Sequence, residues 1–429
     1  MKTVLCYPGN MAHAQQAARA LFEAGALEAF VTAFVFRDDG VLAFLLRTLP
    51  EERGRGLSRN LERRKISQVP PRLVRSYPFW EAARSVLARS GASPVLIDRA
   101  WDRMAHAFDA RAAQRHVPRA QAVVAFEYTA LASFTRAKAE GVARVLHLPS
   151  LDSRAFDEIE RREKAAWPEL AGRHDAYFAG KFERRYARRR AEIARADVII
   201  ANSALTRRSH VAAGADPEKV FAVPLGAPPP IGEAGLRDER RGKPLSIVWA
   251  GTFMPRKGAH YFLEAWRALR PRQSARATIF GQVVVPERLL ASPPEGLEFR
   301  GSVPRSELFA AYETADVLVF PTLSDGFGMV VAEALAHGLP VITTDQAGAS
   351  DLIEHGHNGL VIPAGNADAL KEALQWCLDN RAALQEMRFA ALETARRHQW
   401  SDFRRRLIEA YDTGLRRAGY APRFFAGQR

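Results

Sequence analysis

The sequence predicts an α/β protein built from two doubly wound parallel sheets. Three observations carry that expectation. Short apolar runs rich in β-formers alternate with helical segments in both halves of the chain. The stretch Gly-Ala-Pro-Pro-Pro-Ile-Gly-Glu-Ala-Gly at residues 226–235, with the charged run that follows it, breaks the alternation once. A chain of 429 residues with 47% hydrophobic content exceeds one ordinary domain and can fill two cores.

In the first half, residues 3–7 read as a strand, Gly9-Asn10 as a turn, and 12–23 as a helix ended by Gly25. Apolar runs at 29–36, 122–126, 143–147 and 197–200 continue the alternation. Residues 37–120 are arginine-rich and broken at Pro50, Pro70-Pro71 and Pro78, which reads as a helical insertion on the first domain. That domain covers 1–225 and a linker follows over 226–243. Beyond it, strands are expected at 245–250, 277–280, 317–320, 341–344 and 360–362, with helices at 260–269, 306–314 and 367–378. These make a second domain over 244–400, and a last helix follows at 401–418.

The formal net charge is +14, which favours anionic partners: nucleic acid, acidic lipid or a phosphorylated substrate. Much of the charge lies in 53–65 and 181–190, and no nucleic-acid-binding motif accompanies it, so nucleic acid is not expected as a partner. The two cysteines, Cys6 and Cys377, lie in different halves and have no metal-type spacing; both read as buried thiols. His355-Gly-His357 lies in a glycine-rich turn, and no Asp-x-Asp occurs, so no metal site is expected. No apolar run nears the ~20 residues needed to span a bilayer. The opening residues are too soon broken by Pro8 and Gly9 to read as a signal peptide, which gives a cytoplasmic expectation.

The densest chemistry lies in Phe-Pro-Thr-Leu-Ser-Asp-Gly-Phe-Gly-Met-Val-Val-Ala-Glu, residues 320–333. It reads as a strand end, a glycine loop and a helix start, with Asp325 and Glu333 eight positions apart. A loop that opens a helix presents unpaired N–H groups and the positive end of the helix dipole, a ready phosphate site. The acids accept hydrogen bonds from hydroxyls. Together these suit a nucleotide-sugar. Gly326 and Gly328 allow close backbone approach, but the third glycine of a dinucleotide fingerprint is missing. Glu333 sits among apolar neighbours, where a carboxylate is costly unless paired.

This stretch resembles the E-x7-E region of retaining GT-B glycosyltransferases of family 4 (glycosyl transferases group 1), with Asp325 in place of the first Glu. The resemblance covers about residues 1–415 and is densest over 245–363. It implies two Rossmann-like domains facing an interdomain cleft, the acceptor on the first and the donor on the second, and a last helix crossing back. It implies retaining, metal-independent transfer of a sugar, of the hexosyl type, from a nucleotide-diphosphate donor to a hydroxyl of a glycan or lipid-linked acceptor. The implied setting is cell-envelope polysaccharide or lipopolysaccharide synthesis, with no cofactor. By resemblance Asp325 holds the transferred sugar and Glu333 the ribose, with Gly326, Phe327, Gly328, Met329 and Val330 along the donor. The stretch Gly-Thr-Phe-Met-Pro-Arg-Lys-Gly at 251–258 stands where the family has G-R-x-x-x-x-K-G, with Thr252 replacing the Arg. Lys257 and Arg256 would stabilise charge on the leaving diphosphate. Gly9 falls near the donor phosphate, His147 at the sugar, and His13 and Glu127 on the acceptor side. Asn202-Ser203 matches a further pattern and reads as a strand end, while Asp351 stands where many members have Glu. The departures at Asp325, Thr252 and Asp351 leave a non-catalytic scaffold open, and the shared architecture leaves a non-hydrolysing sugar-nucleotide epimerase open. The basic helices with Leu73, Phe79 and Trp80 suggest peripheral docking on the anionic inner face of the cytoplasmic membrane.

Overall fold

The computed structural model describes residues 1–38, 40, 61, 64–233, 236, 242–271, 273–422 and 424. The expected basic run at 53–65 and part of the linker lie largely outside these residues.

Among the described residues, two wholly parallel sheets organise the chain. The first has seven strands in the order β3-β2-β1-β4-β5-β6-β7. These are β1 (Thr3–Cys6), β2 (Leu27–Thr32), β3 (Val74–Ser76), β4 (Ala122–Phe126), β5 (Ala143–Leu148), β6 (Val198–Ala201) and β7 (Val220–Ala222). The second has six, in the order β10-β9-β8-β11-β12-β13. These are β8 (Leu245–Ala250), β9 (Ala275–Phe280), β10 (Leu297–Gly301), β11 (Val317–Phe320), β12 (Val341–Thr344) and β13 (Gly359–Ile362). A strand covered on both faces reads as an unbroken apolar run, and β4, Ala-Val-Val-Ala-Phe, is buried throughout.

The connecting helices among the described residues are α1 (Ala12–Glu23), α2 (Phe79–Arg89), α3 (Pro94–Arg115), α4 (Leu131–Ala139), α5 (Ser153–Ala166), α6 (Asp175–Arg195) and α7 (Ala204–Ala212). With the second sheet come α8 (Ala259–Leu269), α9 (Arg305–Thr314), α10 (Met329–Ala336), α11 (Ala367–Asp379), α12 (Arg381–Arg396) and α13 (Trp400–Arg417).

Between 64 and 120 the described residues are mostly helical, with one short strand, β3, that pairs with β2, Phe30 opposite Val74. One expectation needs correcting. The second strand ends at Thr32 instead of 36, because Phe36 leaves the sheet and its N–H bonds the carbonyl of Arg64. Both cysteines are free and buried. No helix among the described residues is long and apolar enough to cross a membrane.

The chain passes between the sheets twice at one place. Ala227 N–H bonds the carbonyl of His398 at 2.7 Å, and Gly226 packs against the start of α13 at Trp400. From there α13 lies along α1, where Arg404 donates to Glu23 and Gln16 at 2.7 and 2.8 Å. Its Gly414 packs on Val198 of β6.

Candidate active site

In an open α/β sheet, ligands bind beyond the carboxyl ends of the strands where the strand order reverses. In the second sheet that point lies between β8 and β11, which pair directly. The 251–258 loop leaves one strand and the 321–328 loop the other. They meet through an ion pair between Lys257 Nζ and Asp325. Burial draws the Lys257 ammonium below its ordinary range, Arg256 adds to that, and the Asp325 carboxylate opposes it. Arg256 donates to the carbonyl of Ser324 at 2.9 Å and its own carbonyl accepts from the N–H of Leu323. Thr252 is half-buried in the same loop.

The Asp325–Gly328 turn is fixed from three sides. Asp325 Oδ1 accepts the N–H of Phe327 at 3.1 Å. The Asp325 N–H bonds Gln346 O, while Gly348 N–H and Ala349 N–H bond the carbonyls of Asp325 and Phe327. From the first sheet, Ser203 Oγ and Thr206 Oγ1 donate to the carbonyl of Gly326 at 2.6 and 3.1 Å. The Gly326 position tolerates no side chain: a Cβ would lie 2.3 Å from the carbonyl oxygen of Pro149. Gly328 takes φ +90° as it opens α10. Asn202-Ser203 therefore does more than end a strand. In sequence Ser203 shows only as the cap of α7, where it accepts the N–H of Thr206; its partner 123 residues away leaves no local signal.

Glu333 on α10 is buried and its carboxylate pairs with Arg305, the first residue of α9. Burial pushes its carboxyl above the ordinary range and Arg305 works against that. Arg305 itself is largely exposed and covers the acid from the solvent side. Sequence reasoning missed it. Phe327 is buried, whereas Met329 and Val330 are half-buried at the start of α10.

In the first sheet the order reverses between β1 and β4. A cavity of about 660 Å³ opens there, lined by Gly9, Glu127, Ser150 and Arg189 among others. The Gly9 carbonyl accepts from Thr32 Oγ1 at 3.2 Å. Burial raises the Glu127 carboxyl, and Arg189 at 3.7 Å opposes the rise. His13 and His147 lie elsewhere. They line a small hollow with Asn202 and Phe403, under α13. His147 Nε2 is 2.5 Å from Tyr411 Oη, and its ring packs 4.7 Å from that of Phe126. Burial pushes His147 down to about 3 and His13 to about 4. The expected grouping of His147 with Lys257 and Asp325 is thus not what the fold builds: the histidine faces a tyrosine of the last helix. Among the described residues no group of three or more His, Cys, Asp or Glu is arranged to hold a metal ion.

Residues 244–380 match the family model described as Glycosyl transferases group 1. That span holds the whole second sheet, the Lys257–Asp325 pair and Glu333. Over this part, about a third of its length, the chain is similar to the glycosyl transferases group 1 family. Among its curated relatives is a D-inositol 3-phosphate glycosyltransferase of Nocardia farcinica. It is 28% identical over 252 residues, 52% of this chain and 54% of the relative. Another is the amylovoran biosynthesis glycosyltransferase AmsK of Erwinia amylovora, 28% identical over 42% of this chain and 46% of the relative. The chain thus spans about half the length of the curated relatives it matches. Among solved structures, Anabaena HepE in complex with UDP superposes with a TM-score of 0.60 at 15% identity, covering 96% of this chain and all of that one. Sucrose-phosphate synthase of Thermosynechococcus elongatus gives a TM-score of 0.61 at 17% identity, over 97% of this chain and all of that one. These likenesses establish the GT-B fold.

Proposed function

We propose that the chain transfers a sugar, with retention, from a nucleoside-diphosphate donor to a hydroxyl of a glycan or lipid-linked acceptor in envelope glycan synthesis. The observation that carries this is the Lys257–Asp325 pair at the switch point of the second sheet, with the start of α10 beside it. The diphosphate lies against the α10 N-terminus, where free N–H groups and the helix dipole favour an anion. As the sugar–oxygen bond breaks, negative charge grows on that diphosphate. Lys257 and Arg256 meet it in a partly desolvated loop, where such stabilisation is strongest. Donor binding releases Lys257 toward the phosphate, and Asp325 turns to hydroxyls of the sugar. Glu333 exchanges Arg305 for the ribose diol. The departing phosphate oxygen then takes the proton of the attacking hydroxyl on the same face, so no protein nucleophile is required.

The name of HepE's complex, with UDP, and the names of the glycosyltransferase relatives support this reading. A peripheral position on an anionic membrane is part of the proposal. Phe79 and Val86 lie seven apart on α2 and are 73% and 65% exposed. The experiment is a donor screen with radiolabelled nucleotide-sugars and a lipid extract, followed by anomeric assignment of the product by NMR. Transfer with the donor's anomeric configuration is expected. Inverted product, or a donor converted to a different sugar without acceptor, would overturn it.

A further inference from the structure

The cavity at the first sheet's switch point carries an excess of cationic groups that the transfer reaction itself does not need. Arg64 and Arg84 both bond the single buried carboxylate of Glu81, Arg64 at 2.8 Å and Arg84 through two contacts at 2.7 Å. Two guanidinium groups on one carboxylate leave one positive charge in the wall. Arg189 also lines the cavity, and its Nε is buried with no hydrogen-bond partner among the described residues. Glu127, at 3.7 Å, is beyond hydrogen-bond distance from it. A buried guanidinium N–H without an acceptor is costly, and a ligand oxygen is its natural complement.

The wall between these groups is held in a strained form. Tyr128 has φ +75°, a rare value for a bulky residue. Three contacts keep it there. Its N–H donates to Glu192 at 2.6 Å, its hydroxyl donates to Asp102 at 2.7 Å, and its ring stacks on Trp101 at 4.8 Å. Arg189 lies over the other part of that ring, 4.9 Å from its centroid. The turn so fixed holds Glu127 beside Arg189 of α6. The cavity also reaches Pro149 and Ser150, the residues against which Gly326 packs. It therefore adjoins the donor loop.

We propose that this cavity is a subsite for an acceptor bearing a phosphate ester beside the hydroxyl that receives the sugar. The inference rests on the transferase reading and names its acceptor class. Arg64 and Arg189 take the phosphate oxygens, since guanidinium forks match that geometry. Glu127 and Ser150 are left for acceptor hydroxyls. A soluble phosphorylated sugar or polyol and a phospholipid headgroup share this chemistry.

Calorimetric titrations of the full chain, with UDP saturating and without it, separate the possibilities. The probes are glucose 6-phosphate, glucose, and vesicles of phosphatidylcholine with or without phosphatidylglycerol. Glucose 6-phosphate is expected to bind at least tenfold more tightly than glucose, or the phosphatidylglycerol vesicles than those of zwitterionic phosphatidylcholine alone. Arg64→Gln and Arg189→Gln each abolish that preference while leaving circular dichroism and UDP affinity unchanged. Binding of the soluble ester alone identifies a soluble acceptor, and binding of the vesicles alone identifies a headgroup. Equal affinity for charged and uncharged probes, or a preference that survives both variants, would overturn the proposal. Failure of UDP to bind counts against the donor reading instead, because the dependence on the two arginines is still read in the nucleotide-free titration.

Discussion

Lys257 and Asp325, 68 residues apart, form an ion pair where the loops after two adjacent parallel strands converge. Neither loop alone makes a site. The pairing of β8 with β11 brings a cation suited to a leaving diphosphate against a carboxylate suited to a sugar. Burial disfavours the charged form of Lys257, and the Asp325 carboxylate favours it until a ligand takes that place.

Lys257→Gln is therefore expected to lower kcat by roughly 100- to 1,000-fold, the range for removing one preorganised group that stabilises transition-state charge. Its effect on the KM for donor is expected to be smaller. Steady-state kinetics with the donor found by screening checks this; equal loss in kcat and in donor affinity for a fully folded variant would contradict it.

The Glu333–Arg305 pair gives a second test. In Arg305→Ala the buried carboxylate loses its partner, which is expected to destabilise the free protein by about 1–3 kcal/mol. A ribose diol restores hydrogen bonds to Glu333, so the nucleotide-induced rise in Tm should be larger in Arg305→Ala than in the parent chain. Glu333→Ala should show almost no rise. Differential scanning fluorimetry reads both, and a smaller rise in Arg305→Ala would mean that the arginine itself binds the nucleotide.

Gly326→Ala places a methyl against the carbonyl of Pro149. It is expected to cost about 1–3 kcal/mol of stability through overpacking and to depress turnover by displacing Asp325. Ser203→Ala removes only one of the two hydroxyls on the Gly326 carbonyl, so a milder loss of about 1 kcal/mol is expected. Thermal melts and turnover of the two variants check the order.

Acid should loosen the fold through the two histidines under α13. Burial pushes His13 down to about 4 and His147 to about 3, from an ordinary value of 6.5. Below pH 6.5 the unfolded chain binds protons that the folded chain refuses, so the stability they contribute is present above 6.5 and lost as the pH falls. The loss amounts to as much as about 3 kcal/mol per histidine. Glu192 acts in the opposite sense: burial pushes it up to about 7, and its contribution declines as the pH rises toward that value. Glu127 and Glu333, which burial also raises, act with Glu192, so the histidine part is isolated by substitution. His147→Gln should gain Tm at pH 4 relative to pH 6.5 when compared with the parent chain, and an unchanged difference between the two pH values would contradict the assignment.

Much of the fold was legible because parallel strands buried on both faces are unbroken apolar runs. The spans of β4, β8, β11 and β12 stand in the sequence as apolar blocks of their observed length. Two edge strands, β3 and β10, hid for the opposite reason. β3 is three residues, Val-Arg-Ser, with none fully buried, and β10 alternates half-buried and exposed positions. At the site, Asp325 and Glu333 were visible through their place in a loop-to-helix pattern, and Lys257 through the resemblance of residues 251–258 to a family motif. Their partners were not, since Arg305 is 28 and Ser203 123 residues from what it touches. A histidine at a strand end reads equally as ligand or core, and for His147 a tyrosine 264 residues away settles its surroundings.

The first measurement is thermal stabilisation by UDP, GDP, ADP and CMP of the parent chain, Glu333→Ala and Lys257→Gln. At 100 times its dissociation constant a nucleotide adds about 2.7 kcal/mol. One diphosphate should stabilise the parent chain, lose most of its effect in Glu333→Ala, and be weakened in Lys257→Gln. No stabilisation by any nucleotide, or stabilisation indifferent to both substitutions, would contradict a donor site at the second sheet's switch point.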